Sequence, residues 1–67
     1  MIELSINGIP QQLKVSHTIA DLIVELDLAG KRIAIERNGE IVPRSLFASM
    51  PISEGDQLEI VVAVGGG

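Results

Sequence analysis

The run Gly65-Gly66-Gly67 offers more chemistry than any other part of this chain. A glycyl carboxylate has no Cβ to obstruct attack at its carbonyl carbon, and glycines pass through a channel too narrow for any side chain. Extended, three residues reach on the order of 10 Å. The expectation is that the Gly67 carboxylate enters another protein's active site while the folded domain stays docked outside. A free carboxylate is a poor electrophile, so a partner must first activate it, for instance as an acyl-adenylate made from ATP. The plainer reading is a frayed end or a linker remnant, since termini and Gly-rich segments are commonly disordered. Against it, the tail leaves directly from the most hydrophobic stretch, Leu58-Glu59-Ile60-Val61-Val62-Ala63-Val64, with no polar spacer. The chain also ends on the glycines, which leaves its last carboxylate on a residue without a side chain.

No other residues compete. His17 is the single histidine and there is no cysteine to partner it, so no metal site is expected and His17 reads as a loop residue before a helix. Ser5, Ser16, Ser45, Ser49 and Ser53 stand in no nucleophile-elbow context and have no general base nearby in sequence. Asp21, Glu25 and Asp27 read as the solvated face of a helix, and no glycine cluster forms a phosphate-cradling loop. The expectation is a protein that is not an enzyme and binds no cofactor of its own.

Composition agrees. Lys+Arg total 5 against 9 Asp+Glu, a net charge of −4, which repels phosphate backbones and favours a protein partner with a basic face. Phe47 is the only aromatic residue, so neither a base-stacking surface nor an aromatic ligand pocket is expected. Met1 to Ser5 alternates in character and does not read as a signal peptide, and no apolar run approaches a bilayer's thickness. The expected location is the cytoplasm, without nucleic-acid or membrane partners. With 67 residues the chain makes at most one domain. A domain of that size buries only about 60% of the surface its unfolded chain exposes.

The elements that must hold the tail are legible from periodicity. Ile2, Leu4 and Ile6 alternate with polar residues as in a half-buried strand, and Asn7-Gly8 favours a type I′ turn into a return strand over Ile9 to Val15. Pro10 confines that return strand to a sheet edge. Thr18 suits a helix N-cap with Asp21 completing a capping box, and Ile19, Leu22, Ile23 and Leu26 form one apolar stripe. Gly30 is the expected helix stop, with Lys31 and Arg32 near the negative end of the helix dipole. Ile33 and Ile35 resume alternation, Asn38-Gly39 marks a second turn, and Ile41-Val42 makes a short strand that Pro43 ends. Arg44 to Met50 allows a helical turn with Leu46 and Phe47 packed inward. Glu54-Gly55-Asp56 is a turn, and the run from Leu58 reads as a central strand covered on much of both faces. A last strand parallel to the first, with the helix crossing over right-handedly, gives an α+β fold: a mixed sheet of four to five strands with one main helix across one face. Residues 1–64 make the domain and 65–67 a flexible tail.

The N-terminal hairpin, the Thr18-headed helix, Asn38-Gly39-Glu40-Ile41-Val42-Pro43-Arg44, Glu54-Gly55-Asp56 and the terminal Gly-Gly together resemble the ThiS/MoaD family of ubiquitin-like sulfur carriers. The likeness runs the whole length, and Ile41-Val42-Pro43-Arg44 and the short chain favour its thiamin-pathway branch, ThiS, over MoaD. The resemblance implies a β-grasp fold, adenylation of Gly67 by a ThiF-type enzyme using ATP, and replacement of AMP by sulfur from a donor such as a cysteine desulfurase. The Gly67 thiocarboxylate would then supply sulfur to the thiazole synthase ThiG. Gly66 and Gly67 match the family's terminal pair, and Gly65 lies one glycine beyond it. Arg44, Val62 and Val64 are candidate partner-docking residues, and Gly65 and Gly66 would thread into partner active sites. Alternatives are a carrier for molybdopterin or tRNA thiolation, a modifier joined to lysines through the same adenylate, and a β-grasp interaction module with inert glycines.

Overall fold

The computed structural model describes residues 1–14 and 18–63. Strands β1 (Ile2–Ile6) and β2 (Ile9–Leu13) form the expected hairpin, closed by Asn7 and Gly8 at φ 53° and 81°. Both angles are positive, as a type I′ turn requires. Val15, to which the return strand was expected to run, lies outside the described residues. Helix α1 (Ile19–Glu25) starts on Thr18, whose hydroxyl accepts from the Asp21 N–H while the Asp21 carboxylate accepts from the Thr18 N–H, both at 3.2 Å. That reciprocal pair is a capping box.

The helix stops earlier than Gly30. Its C-cap is Leu26, and Asp27 turns the backbone left-handed at φ 61°. A local carboxamide or carboxylate side chain tolerates that region, so Asp27 ends the helix before the glycine can. Lys31 and Arg32 therefore follow an extra loop and do not sit in the last helical turn.

Strands β3 (Ile33–Arg37) and β4 (Glu40–Val42) make a second hairpin through Asn38 and Gly39, again with both φ positive. A short 3-10 turn at Arg44–Leu46 follows, and β5 (Gln57–Val62) completes a five-stranded sheet in the order β2-β1-β5-β3-β4. β5 runs parallel to β1 and antiparallel to β3. Pro10 lies on the edge strand β2, where its missing N–H leaves no gap in the ladder. This mixed sheet crossed by one helix is the β-grasp arrangement.

Ile19 and Leu22 of α1 pack onto Leu4, Ile35 and Leu58 of the sheet, and all five are buried. Among the described residues only this face of the sheet is covered. On the other face Val61 is 64% and Ile41 76% exposed, so the last strand is central but covered on one side, contrary to the reading of its apolar run. One helix supplies one layer, and an unbroken apolar run does not reveal how many layers exist. Phe47 packs partly inward as expected, whereas Leu46 stays 41% exposed.

Candidate functional site

In sequence the glycines follow β5 after Ala63 and Val64, so that strand is the described element nearest the candidate site. Gly65, Gly66, Gly67, Val64 and His17 lie outside the described residues. On one flank β5 pairs with β3 from Arg37↔Leu58 to Ile33↔Val62, and the Ala63 N–H donates to the Arg32 carbonyl at 2.8 Å. The strand is thus tied up to the residue before the undescribed end.

The other flank is shorter. β1 pairs with β5 only at Ser5↔Gln57 and Ile6↔Leu58, and the Asn7 N–H donates to the Leu58 carbonyl at 2.8 Å. There the backbone of β1 turns away, and the Asn7 side chain continues the ladder. Its Nδ2 donates to the Ile60 carbonyl at 3.1 Å, and its Oδ1 accepts from the Ile60 N–H at 2.8 Å. One carboxamide thus occupies the place of a strand residue. Asn7→Ala removes both bonds and puts alanine at a positive φ, so stability should fall by about 2–3 kcal/mol. For a domain of this length that lowers the Tm by roughly 8–24 °C in a thermal melt.

At the start of β5 a second asparagine turn performs a related task. Asn38 Oδ1 accepts from the Gln57 N–H at 2.8 Å, and Asn38 Nδ2 donates to Asp56 Oδ1 at 3.1 Å. Asp56 is 5% exposed. Its carboxylate also accepts from Arg37 Nε at 2.8 Å and from the Ser53 N–H at 2.7 Å. Burial alone would raise the Asp56 carboxyl, but the Arg37 bond, the Ser53 and Asn38 bonds and the Arg37 charge outweigh it and hold the carboxyl below its ordinary value. Among the described residues this is the one ion pair, and it commits the Arg37 cation to the fold.

Two of the candidate docking residues, Val62 and Arg44, share Ile33 as a neighbour. Val62, on the core-side alternation and 39% exposed, pairs across the ladder with Ile33. Arg44, exposed at the start of the 3-10 turn, lines a cleft with that same Ile33. On the opposite face Ala34, Ile41 and Val61 form a small apolar dip edged by Glu36 and Glu59. The remaining polar candidates have structural roles: Asp21 caps α1, and Glu25 Oε2 accepts from the Lys14 N–H at 3.2 Å. No group of His, Cys, Asp or Glu among the described residues is placed to hold a metal. No described helix is long and apolar enough to cross a membrane. Asn7, Asn38 and Asp56 are the residues that sequence reasoning passed over. Their Asn-Gly and Gly-Asp settings signalled turns, and the bonds they make to β5 carry no local signature.

Comparison with known proteins is consistent across sequence and structure. Residues 4–67 match the model described as the ThiS family. A thiazole synthase of Paramagnetospirillum magneticum is 42% identical over 66 residues, which are 98% of this chain and 20% of that protein. The chain thus spans about a fifth of the length of this relative, and likewise of a second thiazole synthase from Magnetococcus marinus. The sulfur carrier protein ThiS of Bacillus subtilis is 37% identical over 81% of this chain and 82% of its own length. The crystal structure of a thiamine biosynthesis protein (ThiS) from Geobacter metallireducens superposes with a TM-score of 0.81 at 28% identity, covering 98% of this chain and 100% of the other.

Proposed function

The chain belongs to the ThiS family, and from that membership we propose that it is a sulfur carrier of thiamin biosynthesis whose working group is the Gly67 carboxylate. The observation that carries this reading is a family match that extends through the three glycines to residue 67. The relatives named thiazole synthase favour thiazole formation over molybdopterin or tRNA thiolation as the destination of the sulfur.

A ThiF-type enzyme supplies ATP. A Gly67 carboxylate oxygen attacks the α-phosphorus, pyrophosphate leaves, and an acyl-adenylate forms. The terminal sulfur of a cysteine persulfide, delivered by a donor such as a cysteine desulfurase, then attacks the carbonyl carbon and AMP leaves. A thiol cleaves the resulting S–S bond, taking the cysteine away as a disulfide and leaving a Gly67 thiocarboxylate for a ThiG-type synthase. The domain contributes no acid, base or metal to these steps. It supplies the strand that precedes the tail, and Gly65 and Gly66, having no side chains, are slim enough to thread into the partner's channel. Val62, Val64 and Arg44 are the residues proposed to meet the partner that receives it.

Intact mass of the 67-residue chain after incubation with a ThiF-type enzyme, ATP and a persulfide donor tests this. Replacement of one oxygen by sulfur is the expected result. Covalent conjugates to lysine would identify a protein modifier, and an unchanged mass with a competent enzyme would sink both.

A further inference from the structure

The cations of this acidic chain are not spread over its surface. Of its five Lys and Arg residues, Lys31, Arg32 and Arg44 line one open cleft of about 400 Å³. Arg37 is committed to Asp56, and Lys14 lies elsewhere. None of the three cleft cations has a carboxylate within ion-pair distance among the described residues, and all three are exposed. The cleft is also apolar at its base, where Ile23, Leu28, Ile33 and Phe47 are each half-buried.

The walls are set by backbone bonds. Phe47 is tied to the first turn of α1 by the Ala20 N–H donating to its carbonyl at 2.9 Å, and the Leu28 N–H donates to the Ile23 carbonyl at 2.9 Å. Gly30, at φ 83°, turns the chain so that Lys31 and Arg32 follow on the rim. Arg32 then bonds the end of β5 through its own carbonyl. The cleft wall and the base of the glycine tail are therefore one hydrogen-bonded unit.

The geometry points to this cleft as a docking site for a short acidic segment of a partner protein, one bulky apolar side chain seated on the floor and flanking carboxylates on Lys31, Arg32 and Arg44. Charge complementarity selects the partner: three cations that have no carboxylate partner among the described residues, in a molecule of net charge −4, attract a short anionic segment, while the acidic remainder repels a long polyanion. Exposed cations on long stems suit a macromolecular rim better than a small-molecule pocket, which needs convergent, fixed polar groups. Given the carrier reading, on which this step rests, the partner is the enzyme that acts on Gly67. From Ala63 to Gly67 the chain spans at most roughly 13–14 Å. The partner's active-site channel then opens within about that distance of Ala63, beside the cleft.

The test has two arms. A ¹⁵N-labelled sample is titrated with the acetylated, amidated peptide Asp-Glu-Phe-Glu-Asp, and separately with its Lys-Lys-Phe-Lys-Lys counterpart. Saturable shifts at Ile23, Leu28, Lys31 to Ile33 and Phe47 with the acidic peptide alone, weakening as salt rises, are expected. Absence of such shifts, equal response to the basic peptide, or shifts confined to Ala34, Ile41 and Val61 would overturn the assignment. In the second arm the combined Lys31→Glu, Arg32→Glu, Arg44→Glu chain is assayed with a ThiF-type enzyme by ATP–pyrophosphate exchange. Its KM for the carrier should rise about tenfold or more with kcat within about twofold, because rim charges act on encounter more than on chemistry. An unchanged KM overturns the proposal and leaves the carrier reading standing. A wild-type chain that binds the peptide but is never adenylated supports the cleft and removes the carrier reading. Arg44→Glu alone, with a smaller rise in KM, replaces the triple variant should the latter lose its dispersed spectrum.

Discussion

Deletion of Gly67 should abolish thiocarboxylate formation while leaving the melting temperature unchanged. The shortened chain still ends in a glycine, Gly66, so the reacting group keeps its chemical identity and loses only reach. One residue is about 3.5 Å of extended chain. Reacting atoms must come within about 3–3.5 Å in good alignment, and a misplacement of about 1 Å already costs on the order of a hundredfold. A whole-residue retreat from a channel built for the longer tail therefore leaves no sulfur-bearing species in an intact-mass experiment. Stability should be untouched, since among the described residues every buried hydrophobic lies between Leu4 and Ile60. A chain without Gly67 that is thiolated at the normal rate would refute the tether, and one that melts early would show that the tail belongs to the scaffold.

The largest stability loss is expected at Asp56. Asp56→Ala removes the acceptor shared by Arg37, Asn38 and the Ser53 N–H, leaving three donors short of a partner at the start of β5. Losing one side of such a pair costs about 3–4 kcal/mol, toward the low end of the range because Arg37 retains some contact with water. A domain of this length is stable by only roughly 3–10 kcal/mol in total, at 0.05–0.15 kcal/mol per residue. The variant should therefore be partly unfolded at room temperature or melt well over 10 °C lower, by about 4–8 °C per kcal/mol. The same carboxylate gives a pH signature. Its folded pKa is depressed, so its contribution is fully present above the unfolded carboxyl's ordinary value and is lost as pH falls through the lower folded value. The Tm of the wild type should drop on acidification through that window, and the gap between wild type and Asp56→Asn should narrow there. A gap that stays constant with pH would assign the cost to shape rather than charge.

Both hairpins were legible because positive φ at two successive positions is a local steric demand that Asn-Gly satisfies wherever it stands. The capping box at Thr18 was legible for the same reason, its partners being three residues apart. The helix end was not, since Asp27 and Gly30 both adopt positive φ and only tertiary packing decides which one stops the helix. Nor was the bare outer face of β5, because an apolar run records the hydrophobicity of a strand and not the presence of a second layer above it. Asn7 is the sharpest case. Its turn was plain from Gly8, but its side chain acts on Ile60, 53 residues away, and no local pattern announces that. The glycines stood out by type alone, whereas the clustering of Lys31, Arg32 and Arg44 depends on a loop and a 3-10 turn meeting in space.

The parallel pairing of β1 with β5 has a mechanical consequence. In the proposed carrier reaction an enzyme acting on Gly67 would load β5 through its C-terminal end, and the ladder bonds on both flanks run across the strand axis. Such a load is shared by the rungs in shear instead of opening them one at a time, and the Asn7 carboxamide adds a rung where the backbone of β1 has already left. Tension reaching β5 in that reaction would therefore be spread across the sheet and held there.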